Sequence, residues 1–470
     1  MRPAMKRLSR AMRASLLAVP LACHAQAPAA VDLAEAWRAA MQSDKEYAVA
    51  RAAHAAAQPR RDQAAALWRP NVGLVGSVGV ATHESETRGA QFSAPGFQQT
   101  SGVGFNTSVT SGTSTRWAVA AKQPLYNETR RAEQRQLSTS VDLADLQWQA
   151  AWQALMIRTA ERYFDLALAD ETVRVLGQQL DAVQRAATEA RDRYKLGAAP
   201  VTDTHEAGAR LATVRAQLLA AESDVQVKRN LLADTTGLPA GTLAARLPDA
   251  GAKRPSPLQP LESWQNEAQS GNPEIRAQVL AAEVAKHEAA KYSVKSSASV
   301  DLVAEVGRNR LSGSGDFGSA ANSGNSWAVG IQLSVPLYTG GYRSAKEEEA
   351  LRLTGKAMAE VARTRERVAQ QVRSAWLGLS VGAERIRALE QAMHASQARR
   401  DATRLGHAVG ERSTLDLLNA ENEASASRLA LSQARIGLLL DRLRLAALVG
   451  RLDEAALQAA NGELAVSSVR

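Results

Sequence analysis

Pro124-Leu125-Tyr126 occurs again as Pro336-Leu337-Tyr338, 212 residues further along the chain. Three other pairs recur at offsets of 210 to 213 residues: Gly197 and Gly410, Asp203 and Asp416, and the tetrapeptides Trp117-Ala118-Val119-Ala120 and Trp327-Ala328-Val329-Gly330. An offset that stays this constant over more than 80 residues indicates an internal repeat, and a repeat determines the architecture before any local pattern does. A unit of about 210 residues is too long for a solenoid repeat. The chain is therefore predicted to be a duplicated half-molecule.

The composition favours long helices. Only 4% of the 470 residues are aromatic, and alanine is abundant beside leucine, arginine, glutamate and glutamine. Such a composition is typical of long helices that pack closely through small side chains. The formal net charge is +9, but five of the positive residues lie within the first 13: Arg2, Lys6, Arg7, Arg10 and Arg13. The small excess in the rest of the chain is explained by a solvated surface, so no nucleic-acid partner is expected.

The N-terminal residues have the pattern of a secretory signal peptide. The basic segment precedes an apolar run from Ala14 to Cys23, and small residues at the spacing of a cleavage site follow. We expect residues 1–25 to be the signal peptide and the mature chain to begin at Gln26. A lipoprotein signal is the alternative, because Leu21-Ala22-Cys23 resembles the sequence around an acylated cysteine. Cys23 is the single cysteine, so no disulfide bond is expected in the mature chain.

Each half is predicted to contain helical segments, two strands, a long helix and a second helix, in that order. In the first half, helices are expected from Asp32 to Asp44 and from Glu46 to Leu67, with a kink at Pro59. A strand is expected from Val72 to about Val80. The polar stretch from Thr82 to Ser114 is predicted to be a loop, and a second strand runs from Thr115 to Lys122.

The strand pattern is clearer in the second half. Residues 298–307 and 327–335 alternate between apolar and polar or small side chains, with a predicted loop from Ser312 to Asn325. Such alternation over about ten residues is typical of transmembrane β-barrel strands. A half-buried strand of a soluble sheet has the same period and stays an alternative. Trp117 and Trp327 are predicted to lie in an aromatic girdle at the membrane surface.

A very long helix is predicted after each Pro-Leu-Tyr motif. These helices run from Asn127 to Leu196 and from Tyr342 to Val409, and they carry heptad spacing of apolar residues such as Val361, Val368 and Val372. Each ends at a glycine, the residue expected just past a helix C-terminus. A second helix follows at once, with a capping box predicted for Asp203 and Glu206 and for Ser413 and Asp416.

These elements divide the chain into two structural repeats. The first is assigned to residues 26–240 and the second to residues 263–452. A linker is assigned to residues 241–262 and a C-terminal tail to residues 453–470.

The chain resembles the TolC family of outer-membrane channel-tunnel proteins. The resemblance rests on the duplication, the strand-Pro-Leu-Tyr-helix junctions, the segments 193–197 and 202–203 (Arg-Tyr-Lys-Leu-Gly and Thr-Asp), and residues 410–419 (Gly-Glu-Arg-Ser-Thr-Leu-Asp-Leu-Leu-Asn). The segment Arg88 to Phe97 is similar to the cyclolysin-secretion branch, a type I secretion branch. The resemblance implies a mainly α fold with a membrane β part: duplicated, antiparallel coiled-coil hairpins plus four strands per chain. Three chains are then expected to form a twelve-stranded barrel and an α-helical tunnel.

The resemblance also implies a gate where the helical hairpins turn. The matching residues are Thr202 and Asp203 in the first repeat, and His407, Arg412, Asp416 and Asn419 in the second. Arg412 near Asp203 is expected to hold neighbouring hairpins shut, and a ring of Asp416 side chains is expected to favour cations. Asn419 replaces an acid and His407 replaces a tyrosine, so weaker cation selectivity and a response to mild acid are expected. Helix capping is the alternative role for Asp203 and Asp416.

The protein is hypothesised to form a conduit in the cell outer membrane, with a helical domain that extends into the periplasm. No catalytic, cofactor-binding or metal-binding constellation is found in the sequence, so the chain is not expected to be an enzyme. The expected partners are two further copies, a periplasmic adaptor, and an inner-membrane ABC or proton-driven transporter. A lipid-anchored drug-efflux factor, a periplasmic adaptor and an exported coiled-coil scaffold without a channel are the alternatives. The pattern leaves the cargo open, either a secreted protein or small molecules.

Overall fold

The computed structural model describes residues 31–249, 258–316 and 318–464. The expected signal peptide and Cys23 lie outside the described residues, as do the middle of the expected linker and the end of the tail. Ten α-helices are formed by the described chain: α1 Leu33–Ser43, α2 Lys45–Ala57, α3 Pro59–Ala66, α4 Glu128–Lys195, α5 Val201–Thr236, α6 Leu261–Gly271, α7 Pro273–Ala290, α8 Tyr342–Ala408, α9 Thr414–Leu448 and α10 Glu454–Asn461. The strands are β1 Asn71–Phe92, β2 Thr100–Asn127, β3 Ser299–Gly315 and β4 Gly318–Ser334.

The two long helices are confirmed. Helix α4 has 68 residues and α8 has 67, which gives each a length of about 100 Å at 1.5 Å per residue. The side chain of Asn127 caps α4 by accepting a hydrogen bond from the backbone N–H of Arg130. Along α8, Val361, Val368 and Val372 are buried, so these heptad positions pack in the core as expected.

The segment predicted as one helix kinked at Pro59 forms two consecutive helices. Helix α2 ends at Ala57 and α3 begins at Pro59, with Gln58 between them in right-handed helical conformation. Proline is tolerated in the first turn of a helix, where its missing N–H has no partner to lose. The interruption predicted at Pro59 is therefore confirmed, and the helical segment expected from Glu46 to Leu67 is divided there into two helices, Lys45–Ala57 and Pro59–Ala66.

The shorter helices fill the space between the long ones. Helix α9 packs against both α4 and α8, and α7 does the same further along the bundle. Helix α7 starts where α9 ends, since the Asn272 side chain donates a hydrogen bond to the Leu448 carbonyl, with Nδ2 and oxygen 2.9 Å apart. One apolar core around this middle region joins α1, α4, α9 and α10, and it includes Leu33, Trp37, Phe164 and Leu457. None of the helices in the described part of the chain is both long and apolar enough to cross a membrane.

The strands form one antiparallel sheet in the order β1-β2-β3-β4. They are longer than predicted, because most of Thr82 to Ser114 and of Ser312 to Asn325 is strand and not loop. The ladder of backbone hydrogen bonds pairs these residues across strands, for example Glu84 with Ser108 and Gly313 with Ala320. Segments rich in glycine, serine and threonine do not show the alternation of apolar and polar residues from which strands are predicted. Their backbone groups nevertheless pair across strands as those of other residues do.

The register separates the side chains onto two faces, since residues directly opposite each other point to the same side. One face is apolar, and its members include Val72, Leu74, Val78, Val80, Trp117, Val119, Leu302, Val306, Trp327, Val329, Ile331 and Leu333. We call it the apolar face. The other, the polar face, carries Ser77, Arg116, Lys122, Asp301, Glu305 and Gln332 among small residues. The predicted alternation is therefore present, with both tryptophans on the apolar face.

Candidate functional site at the helical turns

The first turn joins α4 to α5. Gly197 has a left-handed backbone, with φ of 70°, and its N–H donates to the Tyr194 carbonyl at an N···O distance of 2.9 Å. The Ala198 N–H donates to the Arg193 carbonyl at 2.8 Å. These two bonds form a Schellman motif, which satisfies the last carbonyls of the helix and reverses the chain. Glycine is needed at this position because the left-handed conformation is costly for residues with a Cβ atom.

The second turn, between α8 and α9, repeats this geometry. Gly410 has φ of 84° and donates to the His407 carbonyl, with N and O 3.1 Å apart. Glu411 donates to the Gly406 carbonyl at 2.8 Å. Gly406 also makes room for Arg412, whose Cγ lies 2.8 Å from where a Cβ on Gly406 would sit. The turns of the two repeats therefore have the same backbone motif, as the recurrence of glycine predicted.

The capping predictions have different outcomes. Ser413 and Asp416 form a capping box, in which each side chain accepts from the other residue's backbone N–H. The Ser413 hydroxyl and backbone N–H lower the pKa of the Asp416 carboxyl below its ordinary value. The predicted box of Asp203 and Glu206 is wrong, because α5 is preceded by Pro200, without a side-chain cap. Proline at that position places Asp203 inside the first turn, where its carboxylate is free for another partner.

That partner belongs to the other repeat. The Thr414 hydroxyl donates a hydrogen bond to Asp203 Oδ2 at 3.3 Å. The same hydroxyl lies 3.3 Å from His407 Nε2, and His407 Nδ1 lies 3.9 Å from Glu189 Oε1. Glu189 is on α4, Asp203 on α5, His407 on α8 and Thr414 on α9. We call these four residues the polar chain, since they connect all four helices that meet at the turns.

Two members of the polar chain are buried, and the other two are partly exposed. His407 is 4% exposed and Thr414 is 5% exposed. A cluster of buried apolar residues lies beside it: Val183, Ala186, Ala187, Ala190, Ala207, Val214, Leu417 and Leu418. Buried polar groups are costly unless they are hydrogen-bonded. The pairing of His407 and Thr414 with residues of the first repeat therefore holds the two hairpins in one relative position.

The remaining predicted gate residues lie on the surface of the turns. Thr202, Arg412, Asp416 and Asn419 are exposed, and Asp203 is half-buried. Among the described residues, Arg412 and Asp203 form no ion pair within one chain, since Asp203 accepts from Thr414 instead. A contact between Arg412 of one copy and Asp203 of another stays a prediction. His407 does not face solvent, and its response to mild acid stays a prediction.

Two members of the polar chain, Thr414 and Glu189, are not predicted by the sequence pattern. Thr414 lies inside the segment 410–419 that carries the resemblance, but its partners Asp203 and His407 are not indicated by any local pattern. Glu189 lies about two helical turns before Gly197. It is more than 200 residues from His407 in the sequence, so no local pattern indicates that the two side chains are close. Half-buried Glu421 is a further acid near the turns, and burial raises the pKa of its carboxyl. In the part of the chain that the structure describes, no group of three or more histidine, cysteine or acidic residues is arranged to hold a metal ion.

Residues 36–238 and 264–451 match the family model described as outer membrane efflux protein. The chain therefore belongs to the outer membrane efflux protein family. Vibrio cholerae outer membrane protein TolC is 28% identical over 332 residues, which cover 69% of this chain and 74% of the relative. The proteases secretion protein PrtF of Dickeya chrysanthemi is 27% identical over 448 residues, covering 94% of this chain and 93% of the relative.

Solved structures have the same fold. The outer membrane protein VceC of Vibrio cholerae superposes with a TM-score of 0.69 at 20% identity, covering 89% of this chain and 96% of that one. The CmeC outer membrane channel of Campylobacter jejuni gives 0.70 at 13% identity and covers 98% of both chains. Family and fold together place the chain in the outer membrane, as a TolC-type channel protein with a helical periplasmic part.

Proposed function

We propose that three copies of this chain form one closed conduit across the outer membrane and the space beneath it. The observation that carries the proposal is the sheet: four strands with free edges at β1 and β4 and an exposed apolar face. An open edge in lipid leaves backbone groups without partners, and four strands are too few to close a barrel. Pairing of β1 in one copy with β4 in the next removes every edge and gives twelve strands.

The helices continue the conduit below the membrane. Each copy contributes the hairpins α4–α5 and α8–α9, and the matching turns place both tips at the same end of the molecule. The two segments matched by the family model, residues 36–238 and 264–451, support a division into the repeats 26–240 and 263–452. The proposal assigns no chemistry to the protein beyond passage of its cargo.

The proposed partners are a periplasmic adaptor and an inner-membrane ABC or proton-driven transporter, which load the conduit at the helical tips. Type I secreted proteins are the favoured cargo. The relative named as a proteases secretion protein aligns over 94% of this chain, whereas the TolC protein of Escherichia coli aligns over 68%. The alkaline protease secretion protein AprF of Pseudomonas aeruginosa is also similar, at 27% identity over 342 residues.

The proposed gate is the ring of hairpin tips. Arg412 is exposed and carries no ion pair within the described part of its own chain, so its charge is available to another copy. Asp203 keeps one carboxylate oxygen, Oδ1, beyond its bond to Thr414. A charge-assisted hydrogen bond between Arg412 of one copy and Asp203 of its neighbour closes the tips, while the polar chain holds the hairpins within each copy.

Single-channel recording in a planar lipid bilayer tests both the conduit and the gate. The wild-type protein is expected to give discrete channels, and Arg412→Ala is expected to give a larger conductance because the tips separate. Arg51→Ala is the matched control, since Arg51 is an exposed arginine on α2, far from the turns along the chain. A folded wild-type trimer without channels contradicts the conduit. Wild-type conductance and ion preference in Arg412→Ala contradict the gate.

A further inference from the structure

The apolar face of the sheet carries two charges, and both are positive. Its four-stranded part comprises residues 71–81, 111–127, 299–315 and 318–334, and residue 317, between the last two strands, lies outside the described residues. Within it, Arg308 and Arg310 of β3 are the charged residues on the apolar face. Arg308 lies opposite Trp117 and Arg310 opposite Thr115. Their side chains therefore point in the same direction as the apolar band.

On the polar face of the same four-stranded part, each charged side chain is paired with one of opposite sign. Arg116 pairs with Glu305 at an N···O distance of 3.0 Å, and Lys122 pairs with Asp301 at 2.9 Å. By contrast, Arg308 and Arg310 are exposed, and neither forms an ion pair with any residue that the structure describes. Two unpaired cations on a face that is otherwise apolar are available to an anionic partner from outside the sheet.

The register gives the height of these arginines relative to the tryptophans. Trp117 lies opposite Arg308, and Arg308 lies opposite Asn325. Trp327 is therefore two residues nearer the helices than Asn325, the residue of β4 that is in register with Trp117. Two residues are about 6.6 Å along a strand and two strand spacings are about 9.6 Å. A tilt of about 35° therefore brings both tryptophans to one height, and barrel strands in membranes tilt by about 35–45°.

At that tilt the arginines lie beyond the tryptophans, on the side away from the helices. Arg308 is about one residue and Arg310 about three residues past the tryptophan level, or about 3 Å and 8 Å along the membrane normal. The headgroup layer on each side of a bilayer is about 5–8 Å thick. Tryptophan marks the boundary between hydrocarbon and headgroups, so both guanidinium groups fall within the headgroup layer.

We propose that Arg308 and Arg310 bind the phosphate groups of phosphorylated lipids in the outer leaflet of the membrane. The inference rests on the proposed barrel, since only a closed barrel exposes this face to lipid. Arginine matches phosphate geometry with two parallel N–H donors. The two residues are about 6.6 Å apart along the strand, so both guanidinium groups can contact phosphate groups within the same headgroup layer. Asn325 and Ser323 lie directly opposite them on β4 and add neutral donors.

The test compares binding of two probes to the purified protein in nanodiscs. One probe is a fluorescent glycolipid with two phosphates, and the other is the same lipid after enzymatic dephosphorylation. We expect the wild-type protein to prefer the phosphorylated probe and the double variant Arg308→Gln/Arg310→Gln to bind it about 30-fold more weakly, the effect of two basic residues at a membrane surface. Arg51→Gln is the control for the loss of an exposed arginine, and its affinity is expected to stay at the wild-type value.

Equal affinity of the double variant and the wild type for the phosphorylated probe overturns the inference. Equal binding of both probes by the wild type also overturns it. The same wild-type preparation is recorded in a planar bilayer, which separates this inference from the proposed function. Channels without any phosphate preference overturn the lipid site alone, whereas a trimer that forms no channels overturns the conduit itself.

Discussion

Replacement of Thr414 by valine removes the centre of the polar chain with little change in side-chain shape. The hydroxyl donates to Asp203 Oδ2 and lies beside His407 Nε2, both at 3.3 Å. A hydrogen bond to a charged group contributes about 1.5–3 kcal/mol, and these distances are long, so a loss of about 1.5 kcal/mol per copy is expected. If opening separates the two hairpins in all three copies together, the closed state loses about 4.5 kcal/mol, a shift on the order of 10³ in the open-to-closed ratio.

The assay is the fraction of time spent in the most conductive state in a planar bilayer, measured beside thermal unfolding by helical circular dichroism. Ser413→Ala is the matched control. It removes the capping box of α9, at a cost of about 1 kcal/mol, but leaves the contact between Thr414 and Asp203 in place. Thr414→Val is expected to open the channel, and Ser413→Ala is expected to lower stability by a similar amount without opening it. Equal open fractions in Thr414→Val and wild type refute the role of the polar chain in closure.

Two further predictions concern the stability of the helical part. Gly450→Ala is expected to destabilise the protein by at least about 2 kcal/mol, because Gly450 has φ of 77° and its added Cβ would lie 2.4 Å from the Gly271 carbonyl oxygen. Gly177→Ala within α4 is expected to stabilise the protein by about 1 kcal/mol, because a Cβ there meets no atom within 4 Å. Thermal unfolding of both variants checks the contrast. Burial raises the pKa of Tyr163 to about 12, above its ordinary value of 10. The folded state therefore holds the phenol proton of Tyr163 more tightly than the unfolded state does. The contribution of the protonated tyrosine to the free energy of unfolding is complete below pH 10 and is lost as the pH rises to 12. The stability advantage of wild type over Tyr163→Phe is expected to fall by about 2–3 kcal/mol across that window, and a pH-independent difference in urea unfolding contradicts it.

The sequence predicts the central part of each strand but not its full length. The central part of each strand was found through its apolar residues, such as Val119 and Ile331, because their alternation is visible in the chain itself. The outer parts, including residues 82–92 and 318–326, are strands as well, yet they carry mostly polar and small residues. Their strand conformation comes from backbone pairing with a neighbouring strand, and composition does not reveal that partner.

The turns show the same division. Gly197 and Gly410 marked both helix ends correctly, since a left-handed residue after a helix is a local requirement. Asp203 was given a local partner, Glu206, and its actual partner is Thr414, 211 residues away. The resemblance implies roles for Arg412 and His407, whereas the burial of His407 beside Glu189 and Thr414 results from the packing of four helices.

The duplication, the two long helices, the glycine turns and the alternating strands follow from the amino-acid sequence, because each depends on residues close together in the chain or on comparison of the chain with itself. The strand lengths, the end-to-end meeting of α9 and α7, the polar chain across the two repeats and the two unpaired arginines on the apolar face follow only from the three-dimensional packing. These depend on contacts between residues far apart in sequence. Local periodicity specifies which side of an element is apolar, but the partner of a buried or exposed polar group is selected only by the packing of whole elements.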